Sequence, residues 1–596
     1  MTLPGTFAAT LVDEWARAGV AAAVVSPGSR SAPLARALLE DGRIPVTVRL
    51  DERSAAYFAL GRALASGRPV LVVTTSGTAA AELVPAVIEA DLAGVPLICC
   101  TADRPEELRH VGAPQTIEQE GIFGAAVRFA SSLAAPEASG QSAWRSLAAR
   151  AVAEATVGPR GPGPVHLNLA FREPLITEVG PLPLGRESGA PWHRRIGGAG
   201  APLACVDALV AAATPARRGV IVAGRGASGA LAWGERAVLE LSAALGWPVL
   251  EDGRAWPKTP DSSGAVRVAF ADHVLRSERA RRALAPDVVL RLGSPPASKM
   301  LASWLAELAE PTTQLLVDPY GRWADPERRA EIVLAADPAE LAAGALGELE
   351  HRARAPELWT AAWAAAEDAA RGAIGAVLAA EERLSEPALA RALYAALPPN
   401  SVIVASSSMP VRDLEWFTQP RPDAPLVYAN RGANGIDGIT STVLGVASAR
   451  LATSGQTVGL LGDLAFLYDL SGLVWGVAEM PPPARLVVVD NGGGAIFSFL
   501  PYAGSLTSEV FERAFGTPQA HDVAAAAAGL GHRVIEIAST AALAAALAEP
   551  PEGLEVLVVR SDREANRAVH ERLAAAAASA VDGALEQGGP RGPERS

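Results

Sequence analysis

Short apolar runs, each closed by a polar turn and followed by a helix-length segment, recur along the whole chain. In the first third they occupy residues 21–25, 46–50, 70–73, 95–99 and 165–169. Runs of four or five β-branched and aliphatic residues bounded by glycine, serine or proline predict buried strands. Their alternation with helical segments predicts parallel sheets wound on both faces by crossover helices. The pattern divides the chain into three such α/β units. The first spans residues 1–182, and a linker rich in proline, glycine and arginine follows at 183–204. The second, 205–354, has strands predicted at 219–223, 248–250, 288–292 and 314–317. An alanine-rich helical connection at 355–385 leads to the third unit, 386–578, with strands at 402–405, 427–430, 458–461, 486–489 and 556–560. Residues 579–596 end in a glycine- and proline-rich stretch and are predicted to be a disordered tail.

In doubly wound sheets ligands bind outside the carboxyl ends of the strands, so the turns after the runs are where chemistry is to be sought. In the third unit one run delivers Gly462-Asp463, and the next delivers Asp490-Asn491 followed by three glycines. A carboxylate, an amide oxygen and backbone carbonyls suit a hard Mg²⁺ that keeps positions for water and phosphate oxygens. The same residues also fit a capped helix beside a glycine loop, and spacing alone does not separate the two. In the first unit the turn at 26–33 carries Ser29 and Arg30 and reads either as an anion site at a helix start or as a plain capped turn. Glu52 follows a strand end and reads as a partly desolvated, proton-sharing carboxylate or as one stabilised by the helix dipole. Arg104 and Gln115 lie in further turns of this unit. In the second unit Gly-Arg-Gly-Ala-Ser-Gly at 224–229, with Glu251 and Asp252 downstream, formally matches a dinucleotide fingerprint, although a glycine-rich turn explains it as well. Lys299 lies in another turn there, and the third unit adds Ser408, Arg412, Arg431 and Ile436.

Composition narrows the partners. A net charge of −13 argues against general nucleic-acid binding. Within this acidic chain Arg30, Arg104, Lys299, Arg412 and Arg431 nevertheless follow predicted strands, an arrangement suited to gripping carboxylates. The 3 cysteines are too few and too poorly spaced for a disulfide framework or a zinc site, which points to a reducing cytoplasm. The chain start shows no secretory signal, and no run approaches the roughly 18 apolar residues expected of a membrane span.

Taken together, these turns resemble the thiamine diphosphate-dependent enzymes, whose metal motif is Gly-Asp followed by an Asn; here Asn491 lies 28 positions after Asp463. Gly-Asp-Leu at 462–464, Ser-Pro-Gly-Ser-Arg-Ser at 26–31, Thr-Ala-Asp-Arg-Pro at 101–105 and Asp-Asn-Gly-Gly-Gly-Ala-Ile-Phe at 490–497 are similar to one branch, which acts in menaquinone biosynthesis. The resemblance implies pyrimidine-binding, central and diphosphate-binding domains, in that order, in a homodimer or homotetramer whose active sites are shared between two chains. It implies Mg²⁺ or Mn²⁺ held by Asp463, Asn491 and the Gly493 carbonyl. Glu52 would meet the aminopyrimidine ring, Ile436 would wedge the cofactor into its bent form, and Ile496 and Phe497 would line the cavity. The implied reaction is decarboxylation of 2-oxoglutarate and conjugate addition of the succinyl unit to isochorismate. Ser408, Arg412 and Arg431 would grip the first substrate, and Ser29, Arg30, Arg104, Gln115 and Lys299 the second. Met300 stands where the family pattern has an arginine. None of the 8 histidines falls in these turns, which favours carbon–carbon bond formation over protonation.

Overall fold

Among the described residues, eighteen strands pair in parallel throughout and sort into three six-stranded sheets. The computed structural model describes residues 3–195, 197, 200–226, 234–260, 262–349 and 354–588. The first sheet comprises β1 (Ala22–Val25), β2 (Val46–Val48), β3 (Val70–Thr74), β4 (Leu97–Asp103), β5 (Phe129–Leu133) and β6 (Val165–Ala170), in the order β2-β1-β3-β4-β6-β5. The second comprises β7 (Gly219–Ala223), β8 (Val249–Glu251), β9 (Arg267–Val268), β10 (Val288–Leu292), β11 (Thr313–Val317) and β12 (Ile332–Leu334), in the order β12-β11-β10-β7-β8-β9. The third comprises β13 (Val402–Ala405), β14 (Leu426–Ala429), β15 (Thr457–Gly462), β16 (Ala484–Asp490), β17 (Arg533–Glu536) and β18 (Leu554–Arg560), in the order β14-β13-β15-β16-β18-β17. The first and third sheets therefore share one connectivity, whereas the second has the order of dinucleotide-binding folds.

Four strands that the apolar pattern did not predict, β5, β9, β12 and β17, each occupy a sheet edge. An edge strand is covered less completely and needs no continuous apolar run, and the half-exposed Phe-Ala-Ser-Ser-Leu of β5 is an example. Two predicted strands shift. β2 stops at Val48, leaving Leu50 70% exposed, and β4 continues through Thr101 to Asp103, so its turn begins at Arg104. Thr101 is tolerated inside because its hydroxyl donates to Asn168 Oδ1 at 2.9 Å.

The first and third units share a core. The helix Glu52–Ser66 lies against the helix Ile439–Ala449, and a Cβ at Gly61 would come within 2.2 Å of the Thr442 carbonyl oxygen. A Cβ at Gly445 would come within 2.0 Å of the Phe58 carbonyl oxygen. Glycine at both crossing points lets the two backbones touch, and Phe58, Leu60, Val443 and Leu444 close the core around them. The segment predicted as a linker is fastened to the first unit, with Arg145 donating to the Pro183 carbonyl at 2.8 Å; the next helix, Leu203–Ala213, starts within it.

The predicted disordered tail needs correction. The helix Arg563–Gly588 runs well beyond residue 579, and Val569, Leu573, Ala577, Val581 and Leu585, spaced by four, are buried in the core of the middle unit. The helix Glu357–Ala379 contributes Trp359 and Trp363 to the same core. An apolar stripe at helical spacing outweighs the polar composition of the stretch, because burying it against an existing core stabilises the helix. Residues 589–596 lie outside the described residues.

Candidate active site

The metal-type donor set gathers at the carboxyl ends of β15 and β16. Gly462 caps the helix Asp463–Tyr468, so Asp463 is its first residue and not its cap. The Asp463 carboxylate is buried and accepts the Gly493 N–H at 2.7 Å and the Leu464 N–H at 2.7 Å. Gly492 and Gly493 take φ of +75° and +124°, conformations open to glycine, and this fold of the loop brings the Gly493 amide onto the carboxylate. Burial pushes the Asp463 carboxyl up to about 6, against the opposing effect of those N–H groups. Asn491 donates through Nδ2 to Glu386 Oε1 at 2.8 Å, while its Oδ1 is buried without a partner. A buried anion held short of full stabilisation and an orphaned amide oxygen on adjacent strand ends fit a hard divalent cation. Among the described residues no three His, Cys, Asp or Glu side chains gather as a metal cage. This donor set therefore leaves positions for oxygens that the protein does not supply, as Mg²⁺ on a diphosphate requires.

Ile496 and Phe497 follow on the short helix Ala495–Phe499, with the Phe497 ring 5.6 Å from that of Phe515. Ile436 is half-buried in the turn after β14. The next residue, Asp437, accepts a hydrogen bond from Tyr57 of the helix Glu52–Ser66, which ties the Ile436 turn to the first unit.

Ser408 and Arg431 occupy turns after β13 and β14, whereas Arg412 lies inside the helix Met409–Phe417 rather than in a turn. Ser408 has φ +74° at the start of the helix Met409–Phe417, and its carbonyl accepts from Arg412 at 2.5 Å. Burial lowers the Arg412 pKa. Burial lowers that of Arg431 to about 10, with the nearby charges of Arg254 and Arg412 acting in the same direction. Arg431 Nε is buried without a partner, and the residue lines a cleft of about 670 Å³ between the three units, together with Arg225 and Arg254. Crowded guanidiniums with unsatisfied N–H groups are poised for carboxylates.

In the first sheet Asp51 caps the helix Glu52–Ser66 by accepting the Ser54 N–H at 3.1 Å. Glu52 is thereby freed of the capping duty. Burial raises its pKa, and the charges of Asp51 and Glu82 add to the shift. Arg30 is buried, donating to the Phe171 carbonyl at 2.9 Å and to Glu173 at 3.4 Å, and its Nε has no partner. Arg104 donates to Ser76 Oγ at 3.1 Å and to the Pro114 carbonyl at 3.0 Å, next to Gln115, which has φ +52°. Burial, and after it the charge of Arg30, lowers the Arg104 pKa, so the two guanidiniums face a common region. Ser29 and Gln115 are exposed. Lys299 is exposed at the first position of the helix Lys299–Glu307, capped by Ser298, and so stands at a helix start rather than in a free turn.

Two residues that join this site were not found from the sequence. Glu386 comes from a helix start far from any strand-end turn. His570, on the helix Arg563–Gly588, stands 3.2 Å from Asp413, the neighbour of Arg412. No spacing signal connects either of them to the metal motif. In the middle unit the carboxylates of the dinucleotide-type pattern are already paired, Asp252 with Arg254 and Glu251 with Arg267. A Cβ at Gly224 would come within 1.9 Å of the Ser294 carbonyl oxygen, so this glycine serves turn-to-turn packing. Residues 227–229 of that pattern lie outside the described residues.

Comparison with known proteins bears on the family. Residues 5–122 match the family described as thiamine pyrophosphate enzyme, N-terminal TPP binding domain, and residues 192–404 match the middle domain of thiamine pyrophosphate enzymes. A 2-succinyl-5-enolpyruvyl-6-hydroxy-3-cyclohexene-1-carboxylate synthase of Thermobifida fusca is 43% identical, the match covering 96% of this chain and 99% of the relative. Synthases of the same name from Saccharopolyspora erythraea and Myxococcus xanthus are each 40% identical, covering 97% and 96% of this chain and 99% and 97% of theirs. With this likeness along nearly its whole length, the chain belongs to the thiamine diphosphate-dependent enzymes, in the family of the 2-succinyl-5-enolpyruvyl-6-hydroxy-3-cyclohexene-1-carboxylate synthases.

Proposed function

We propose that the chain is a transferase of menaquinone biosynthesis. It decarboxylates 2-oxoglutarate and adds the succinyl unit to isochorismate, giving 2-succinyl-5-enolpyruvyl-6-hydroxy-3-cyclohexene-1-carboxylate. The observation that carries this reading is that a chain alike to these synthases over 96% of its length places a buried carboxylate and an unpartnered amide oxygen on adjacent strand ends.

Thiamine diphosphate, when bound, supplies the electron sink that lets carbon dioxide leave. Asp463, Asn491 and the Gly493 carbonyl would hold Mg²⁺ or Mn²⁺, which would neutralise the diphosphate, and Ile436, Ile496 and Phe497 would shape the apolar wall beside it. Glu52, with its pKa raised by burial, would share a proton with the pyrimidine ring more readily than an exposed glutamate does. Ser408, Arg412 and Arg431 bind the carboxylates of 2-oxoglutarate, each charge-assisted bond contributing roughly 1.5–3 kcal/mol. Ser29, Arg30, Arg104, Gln115 and Lys299 orient isochorismate.

The site is completed by a second copy of the chain, in a homodimer or homotetramer. The family likeness supports this. Within one chain Arg53, beside Glu52, donates to the Tyr468 carbonyl at 3.0 Å, and Ser54 donates to Asp469 at 3.1 Å, at the carboxyl end of the helix that Asp463 begins. We place the enzyme in the cytoplasm. Among the described residues no helix is long and apolar enough to cross a membrane, and Cys99, Cys100 and Cys205 are unpaired.

The test is turnover of 2-oxoglutarate and of pyruvate, each with isochorismate, thiamine diphosphate and Mg²⁺. The succinyl adduct should form from 2-oxoglutarate alone; turnover of pyruvate without turnover of 2-oxoglutarate would overturn the assignment.

A further inference from the structure

An amide ligand has two faces that differ only by an oxygen and a nitrogen, so a metal site built on asparagine needs something to decide which one points at the cation. Around Asn491 that decision falls to one residue. Glu386 is the first residue of the helix Glu386–Ala396, capped by Ser385, and is only 4% exposed. Its Oε1 accepts the Asn491 Nδ2 hydrogen at 2.8 Å. With the nitrogen engaged on that side, Oδ1 is turned the other way, buried and without a partner. Glu386 thus braces Asn491 directly, and the Ser561 N–H, which donates to the carbonyl of Asp490 at 2.9 Å, holds the end of β16 separately. The charges of Asp413 and His570, 3.2 Å apart, act on Glu386 from nearby.

We propose that Glu386 is the positioning residue of the metal site. It locks the Asn491 amide with its oxygen available to the cation and, by accepting the N–H, makes that oxygen a stronger donor. Glu386 itself touches neither cation nor substrate. This inference rests on the reading of Asp463 and Asn491 as metal ligands given above.

The experiment is a Mg²⁺ titration of the full chain at saturating thiamine diphosphate, with cofactor binding read by tryptophan fluorescence and calorimetry. Glu386→Met fills the buried volume but accepts no hydrogen bond. It should raise the Mg²⁺ concentration for half-saturation about 10–100-fold, the usual cost of losing a ligand-orienting partner. Glu386→Gln, whose amide oxygen still accepts from Asn491, should stay within about threefold of wild type. Should Glu386→Met not fold, as judged by its thermal transition without ligands, Glu386→Ala gives the same comparison. Unchanged half-saturation in Met or Ala overturns the inference, and so does an equal loss in Met and Gln. Cofactor binding by the wild-type chain without any divalent cation would instead overturn the metal site itself, and so distinguishes the two readings.

Discussion

The first and third sheets have the same strand order and opposite chemistry at matched strand ends. Where β1 leads to Arg30, β13 leads to Ser408 and Arg412. Where β2 leads to Glu52, β14 leads to Arg431 and Ile436. The turn after β3 is hydroxyl-rich, whereas β15 delivers Asp463, and the Arg104 that follows β4 is answered by Asn491 after β16. One scaffold therefore presents a partly buried carboxylate with arginines on one copy, and a buried carboxylate and an amide with arginines on the other. The connectivity fixes where the turns are and says nothing of what they carry. The interiors differ at matched positions too. His166, on β6, pairs neutrally with Thr101 at 2.8 Å, while Glu555, on β18, forms a buried ion pair with Arg485 at 2.8 Å.

The sharpest break in this contrast comes from the strand ends. Asp463→Ala should abolish Mg²⁺-dependent retention of thiamine diphosphate, leaving no binding heat by calorimetry; wild-type affinity would remove the metal role from the third sheet. Glu52→Gln should leave cofactor affinity within about threefold while turnover falls on the order of 10²–10⁴-fold, the range of a lost acid–base group. If affinity fell and turnover did not, the two edges would share one role.

The interiors give smaller effects. Glu555→Ala strands Arg485 in the third sheet, where Arg485 is 3% exposed, and should cost about 3–5 kcal/mol by urea unfolding of that transition. A cost below 1 kcal/mol would show that Gln456, which accepts from Arg485 at 2.6 Å, suffices alone. Smallest is His166, whose pKa burial lowers from 6.5 to about 4. Between those values the unfolded chain binds a proton that the folded chain does not, so stability rises with pH across this window. The contribution is fully present above pH 6.5 and is lost as pH falls towards 4, amounting to roughly 3 kcal/mol. The stability difference between wild type and His166→Gln should therefore move in favour of the variant as pH falls from 6.5 to 4. A pH-independent difference would show that His166 is not held neutral.

Legibility in the sequence followed burial. Strands covered on both faces, such as β3 and β16, leave uninterrupted apolar runs, while β5, β9 and β17 are broken by serine, arginine or glutamate, as a sheet edge allows; β12, Ile-Val-Leu at 332–334, is apolar but only three residues long. Asp463, Asn491, Arg412 and Arg431 were legible because a strand end announces the turn that follows it. Glu386 and His570 were not, because they reach the site from helices whose own pattern records only packing, the first within the third unit and the second against the middle core. The helix Arg563–Gly588 was half missed for a related reason: Val581 and Leu585 lie among the polar and glycine residues of its end, and their spacing tells only once the surface they cover is known.

That helix also bears on synthesis. The middle core, though encoded between the two matched sheets, includes Val569, Leu573, Ala577, Val581 and Leu585 from far downstream. A nascent middle domain emerging from the ribosome therefore waits with an apolar groove uncovered until the third sheet has been translated, a stage at which holding chaperones have most to protect.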